Sequence, residues 1–240
     1  MNTLLTTPRV LLAIPLYALA VLFATSTAYA GTVSVQVVDK TGKPLPDAVV
    51  TLLPFNKNIK PPVALPTQAT IAQEKMQFVP MVSLVPVGAK ITFTNNDSWN
   101  HHVRGYSADA TQVDVAKSSG FALLLEGKSE GKKSISKDVT MDKAGVVGAT
   151  LLGCFIHGSM RGYIFVSDSP WASKTNSDGW ATFADAPVGP AHVKVWQADQ
   201  LIEPAPAPLE VSSNTTKHVV QLQVTARRAR VTSTTSGYAY

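Results

Sequence analysis

The chain contains one cysteine, Cys154, in the stretch "GCFIHGSM". An imidazole, His157, follows it by three positions and a thioether, Met160, by six. Two further histidines, His101 and His102, lie upstream in "TNNDSWNHHV". A thiolate, two imidazoles and a weak axial thioether are the donors of a trigonal copper site, soft enough for Cu(I) and nitrogenous enough for Cu(II). Each donor alone has a bland reading, since a single Cys is usually a small buried hydrophobe and a single Met a core filler. The joint spacing is what points to a metal. Cys154 and His157 could also pair as nucleophile and base, but Met160 and the upstream histidines have no part in that chemistry.

The compartment fits an occupied thiol. Residues 1–30 read as a secretory signal, with Arg9 as the positive region, "VLLAIPLYALAVLFA" as the apolar stretch, and Ala28 and Ala30 at the small positions before a cut. The apolar run contains Pro15 and falls short of the about 20 residues a membrane-spanning helix needs. An uncleaved anchor is the rival reading, and no later segment is apolar enough to span a bilayer. One cysteine in an oxidising compartment makes no internal disulfide. It is either buried and inert or held by a metal.

Composition narrows the partners. The formal charge is +5, and losing residues 1–30 removes Arg9 and no acid. Arg227, Arg228 and Arg230 carry much of what remains, so the body is close to neutral. No basic face interleaved with aromatics is visible, which argues against nucleic acid as a partner. A length of 240 residues suits one large domain or two small ones.

The elements that must position the donors read as strands. "TVSVQVVD" alternates apolar and polar residues and ends in the turn-rich "KTGKPLPD", after which "AVVTLLPF" is a second strand. "MQFVPMVSLVPVGAKITFTNND" gives two or three strands turning at Gly88, and "HHVRGYS" is short enough for a sheet edge. "GFALLLE", "KSISKDVT", "GVVGATLLGC", "GYIFVSD", "WATFADAPVGPAHVKVWQ" and "KHVVQLQVTA" complete the series. Helical periodicity is absent outside the signal, so the expected class is all-β. Residues 226–240 hold few core side chains and read as a disordered basic tail.

Two resemblances give this series an architecture. "GTVSVQVVDKTGKPLPDAVVTL" and "TNSDGWATFADAPVGPAHVKV" together resemble the carboxypeptidase-regulatory-like, transthyretin-like β-sandwich, whose two motifs normally follow one another closely. Here more of the chain lies between them. The implied organisation is one sandwich from residues 31–67 and 169–225, with a second domain, 68–168, inserted; the alternative is two sandwiches in series. Long insertions are cheap in loop-closure entropy when their ends lie close together.

The inserted stretch resembles a cupredoxin, a Greek-key β-sandwich of the plastocyanin and amicyanin kind. The matching runs are "FVPMVSLVPVGAKITFTNNDSWNHHV" and "GVVGATLLGCFIHGSMRGYIFV". In that family an Asn-Asn-x4-His pattern ends on the first copper histidine, and counting from Asn95 and Asn96 lands on His101. The resemblance implies His101, Cys154, His157 and Met160 as ligands of one copper ion. The short ligand loop is closer to amicyanin than to plastocyanin, and the whole layout is similar to periplasmic methylamine-utilisation-like proteins. The residue after the first histidine is commonly Asn in plastocyanins. Here it is His102, whose N–H could still reach the Cys154 sulfur. His102 also competes with His101 as the ligand, although adjacent strand residues point to opposite faces.

The expected function is a periplasmic blue copper protein, not an enzyme, that carries single electrons between transient redox partners. His157 would be its electron port. The alternative is copper storage or delivery, or a recognition module in which copper has no electron-transfer role. His192 and His218 read as ordinary strand residues. Trp171, Trp180 and Trp196 read as packing.

Overall fold

The computed structural model describes residues 30–106, 120–142, 149–200 and 202–225. The readings of the signal and of the basic tail lie outside these residues.

Among the described residues the regular structure is all strand. In chain order the strands are β1 (Ala30–Val38), β2 (Val49–Pro54), β3 (Gln68–Glu74), β4 (Gln77–Val79), β5 (Val82–Pro86), β6 (Ala89–Asn95), β7 (His101–Tyr106) and β8 (Phe121–Leu125). They continue as β9 (Ile135–Met141), β10 (Thr150–Cys154), β11 (Arg161–Ser167), β12 (Ala172–Lys174), β13 (Trp180–Pro187), β14 (Gly189–Trp196), β15 (Ala207–Val211) and β16 (Thr216–Gln221). No helix here is long and apolar enough to cross a membrane.

The strands form four sheets around two cores. The orders β13-β1-β16 and β12-β2-β14-β15 use strands from both ends of the chain, while β5-β11-β10-β7-β8 and β4-β3-β6-β9 use those between. The first pair encloses Val33, Val35, Val37, Val50, Leu52, Phe183, Val193 and Val195. The second encloses Ile71, Ile91, Phe93, Val103, Leu125, Leu152 and Ile164, and with them Cys154 and Met160. Alternation produces this: β1 buries every second residue, because successive side chains point to opposite faces. Burying each such Val, Leu or Phe stabilises the fold by about 1.5–3 kcal/mol.

Specific polar contacts join the chain-end motifs. The Thr175 hydroxyl accepts the Ala48 N–H at 2.9 Å and donates to the Leu45 carbonyl at 2.7 Å. Gly179, at φ +74°, turns so tightly that a Cβ would lie 2.6 Å from the Val37 carbonyl oxygen, which explains glycine there. Across the two cores, the Lys174 ammonium donates to the Val82 carbonyl at 3.0 Å and pairs with Asp47 at 2.8 Å. The Trp196 ring packs 5.5 Å from Tyr163 and 5.7 Å from Phe165.

Two details differ from the sequence reading. "HHVRGYS" suggested a sheet edge, whereas β7 is an interior strand between β10 and β8. Its shortness misled; its alternating burial is that of a strand paired on both sides. β15 lies in the proline-rich "EPAPAPLEV", which carries no strand signal. It pairs with β14 alone, and proline is tolerated at such a sheet edge.

Candidate metal centre

His101 opens β7 and points inward, fully buried, while His102 faces out. Cys154 closes β10, paired in register with Val103 on β7, and its side chain is buried. Residues 155–160 then form a short loop back into β11. Its first N–H, from Phe155, donates to the His102 carbonyl at 2.9 Å; its last, from Met160, donates to the His157 carbonyl at 3.0 Å. These bonds fold the loop so that His157 hangs over Cys154 and Met160 turns into the core, with 2% of its surface exposed.

The donors converge. Cys154 Sγ lies 3.7 Å from His101 Nδ1 and 3.6 Å from His157 Nδ1, and the two Nδ1 atoms are 3.2 Å apart. A triangle with those sides has its centre about 2.0 Å from each corner, the bond length a transition metal makes to imidazole nitrogen. His101, Cys154 and His157 are thus placed to hold one metal ion. A cysteine thiolate with two imidazoles fits copper, and the Met160 side chain lies in the same apolar cluster as Cys154.

The tautomer of His101 is set from behind. Its Nε2–H donates to Asp97 Oδ2 at 2.9 Å, which leaves Nδ1 as a bare lone pair turned toward the other donors. Asp97 is itself anchored: Oδ1 accepts the Lys75 N–H at 2.6 Å and Oδ2 the Met76 N–H at 3.1 Å, both from the β3–β4 turn. Burial pushes the Asp97 carboxyl up, but the Met76 N–H, the His101 imidazole and the Lys75 N–H together outweigh it and hold the group below its usual range.

Asn95 organises the rest of the ligand segment. Fully buried at the end of β6, it donates from Nδ2 to the carbonyls of Trp99, Leu125 and Glu126, and accepts the Asp97 N–H at 3.0 Å. It therefore fixes the turn that delivers both Asp97 and His101. His102 lies outside the donor triangle, its ring 5.9 Å from that of Phe155. The tie between the two ligand segments is the bond from the Phe155 N–H to the His102 carbonyl, not the expected approach of the His102 N–H to sulfur.

The remaining candidates lie elsewhere. His192 stacks on Phe55 at 5.4 Å, and His218 sits on β16 opposite Val35. Trp171 is buried, its indole N–H on the Ile59 carbonyl. The sequence reading missed Asp97 and the anchoring role of Asn95. A carboxylate four positions before His101 was the available signal.

No family model matches the chain, and no curated protein does. Solved structures do. The oxidised state of a point mutant of amicyanin is similar at 20% identity and a TM-score of 0.32, over 42% of this chain and 83% of that one. Amicyanin from Paracoccus versutus aligns at 17% identity and a TM-score of 0.32, over 44% and 92%. The purple cupredoxin from Nitrosopumilus maritimus aligns at 19% identity and a TM-score of 0.30, over 41% and 99%. With similarity this low, function has to be assigned from the donors themselves.

Proposed function

We propose that this protein is an exported type 1 copper protein that carries single electrons. The observation supporting it is the donor triangle of His101, Cys154 and His157, closed around a point about 2.0 Å from each donor atom. Copper, when bound, supplies the one-electron couple. His101, Cys154 and His157 hold the trigonal plane, and Met160 is the weak axial donor that tunes the potential. Asp97 keeps His101 in one tautomer and orientation, so little rearrangement accompanies the change of charge. Low exposure of His101, Cys154 and Met160 keeps bulk water from these donors.

His157 is the port. It lies on the loop beside Phe155 and Ile156, 70% and 53% exposed. An apolar rim of this size suits brief redox encounters that bury little area and dissociate quickly. Residues 68–168 are the copper domain, inserted in a sandwich of residues 31–67 and 169–225. Support for that division comes from the sheets, which draw on the two groups of strands separately. The signal-like residues 1–30 support a location in the periplasm or outside the cell.

Anaerobic titration with Cu(I) and Cu(II), read optically, tests the function. One equivalent should bind, turn intensely coloured on oxidation, and bleach and recover over repeated cycles. Tight Cu(I) binding by a protein that stays colourless and does not cycle would replace electron transfer with copper storage or delivery.

A further inference from the structure

The five strands that carry Cys154 and His101 contain no acidic residue. β5, β7, β8, β10 and β11 read VSLVP, HHVRGY, FALLL, TLLGC and RGYIFVS. The opposing sheet mixes its charges, with Lys90 paired to Asp138 at 3.3 Å. Only Arg104 and Arg161 bring full charge to the five-stranded sheet, and both are on its outer face.

They sit in one cross-strand row. Gly153 of β10 pairs with Arg104 on one side and Arg161 on the other. A Cβ at Gly153 would meet only the Tyr106 ring, at 3.8 Å, so the row is a notch flanked by two guanidinium groups. The Arg104 guanidinium lies 4.6 Å from the centre of the Phe155 ring, and its Nε is shielded from water without a hydrogen-bond partner. Among the described residues neither arginine has an ion-pair partner. Leu124 and Leu151, 49% and 38% exposed, lie on the same face. Its far end is covered: Trp196 packs on Tyr163 and Phe165. The end open to a partner is the one beside the ligand loop.

We infer that this face, basic along its strands and centred on Arg104, Gly153, Phe155 and Arg161, is a docking surface for an acidic protein partner. Carboxylates reach the two guanidinium groups across the notch while apolar side chains cover Phe155, Leu124 and Leu151. Among the described residues no carboxylate holds either guanidinium, so a partner's carboxylate gains a charge-assisted bond there. The electron-carrier reading enters only in giving this partner a redox role.

The test uses hexaglutamate as probe and amide NMR of the full chain, in metal-free and Cu(I)-loaded forms alike. Hexaglutamate should shift the amides of Arg104, Gly153, Phe155 and Arg161, and hexalysine should not. Arg104→Gln and Arg161→Gln should each weaken binding by roughly fivefold, the scale of one partly solvated ion pair. Lys217→Gln, on the other sandwich, should leave it unchanged. Shifts on another face, equal loss with Lys217→Gln, or no effect of either arginine variant would overturn the inference. So would Arg104-dependent binding to phosphatidylserine vesicles without hexaglutamate binding, which would make the face a membrane contact. Hexaglutamate binding here by a protein that does not cycle its copper would uphold the docking face and sink the electron-carrier reading alone.

Discussion

Replacing Asp97 by alanine removes the group that fixes His101 from behind. Three bonds are lost: those from the Lys75 N–H at 2.6 Å, the Met76 N–H at 3.1 Å and His101 Nε2–H at 2.9 Å. Lys75 and Met76 belong to an exposed turn, so water replaces the carboxylate there at small cost. His101 is fully buried, and its N–H is left without a partner, which costs about 1–3 kcal/mol. With the turn contacts included, the metal-free protein should lose about 2–4 kcal/mol of stability. The freed imidazole can also rotate or take the other tautomer, so copper affinity should fall about 10–100-fold, the usual effect of removing such an outer partner. Denaturant unfolding of the metal-free protein and competition with a chromophoric Cu(I) chelator measure the two effects separately. Asp97→Asn should be milder, because one carbonyl oxygen can still accept from His101 while its NH2 group opposes the Lys75 N–H. Unchanged stability and unchanged copper affinity in Asp97→Ala would refute the claim that this carboxylate positions the ligand.

Other outcomes follow from the same geometry. His101→Ala should abolish the charge-transfer colour, whereas His102→Ala, at an outward-facing position, should keep it; optical titration of both variants checks this, and the reverse result would mean that His102 is the ligand. Met160→Leu should keep the colour, cost under about 1.5 kcal/mol as a volume-conserving core change, and shift the reduction potential measured by voltammetry. In the metal-free protein the Asp97 carboxyl is held below its unfolded value of 3.8. Its stabilisation is therefore complete above that pH and is lost as pH falls through the lower folded value, where the unfolded chain binds more protons. Acid unfolding should accordingly be steeper below 3.8 in the wild type than in Asp97→Asn.

The candidate ligands were legible because their signal is local. Cys154, His157 and Met160 share one short loop, and strand alternation separates His101 from His102, as β7 does in the fold. The all-β class was legible from the same alternation. What escaped notice depends on long-range contact. The carboxylate four positions before His101 does not by itself say that Asp97 turns inward, since the residues that hold it, Lys75 and Met76, are about twenty positions away on another hairpin. Arg104 and Arg161 read as scattered charges until strand register sets Gly153 between them. Trp196 read as generic packing, and its packing joins the outer faces of two sheets, through Tyr163 and Phe165. β15 was hidden because its prolines resemble a linker, and only pairing with β14 makes it a strand.

X-ray absorption at the copper edge of the oxidised protein tests the central claim most directly. One copper per chain should show two imidazole nitrogens at about 2.0 Å and one sulfur in the nearest shell, with the sulfur signal lost in Cys154→Ser. A nearest shell of nitrogen and oxygen alone, or a sulfur signal that survives Cys154→Ser, would contradict the assignment of His101, Cys154 and His157 as the copper ligands.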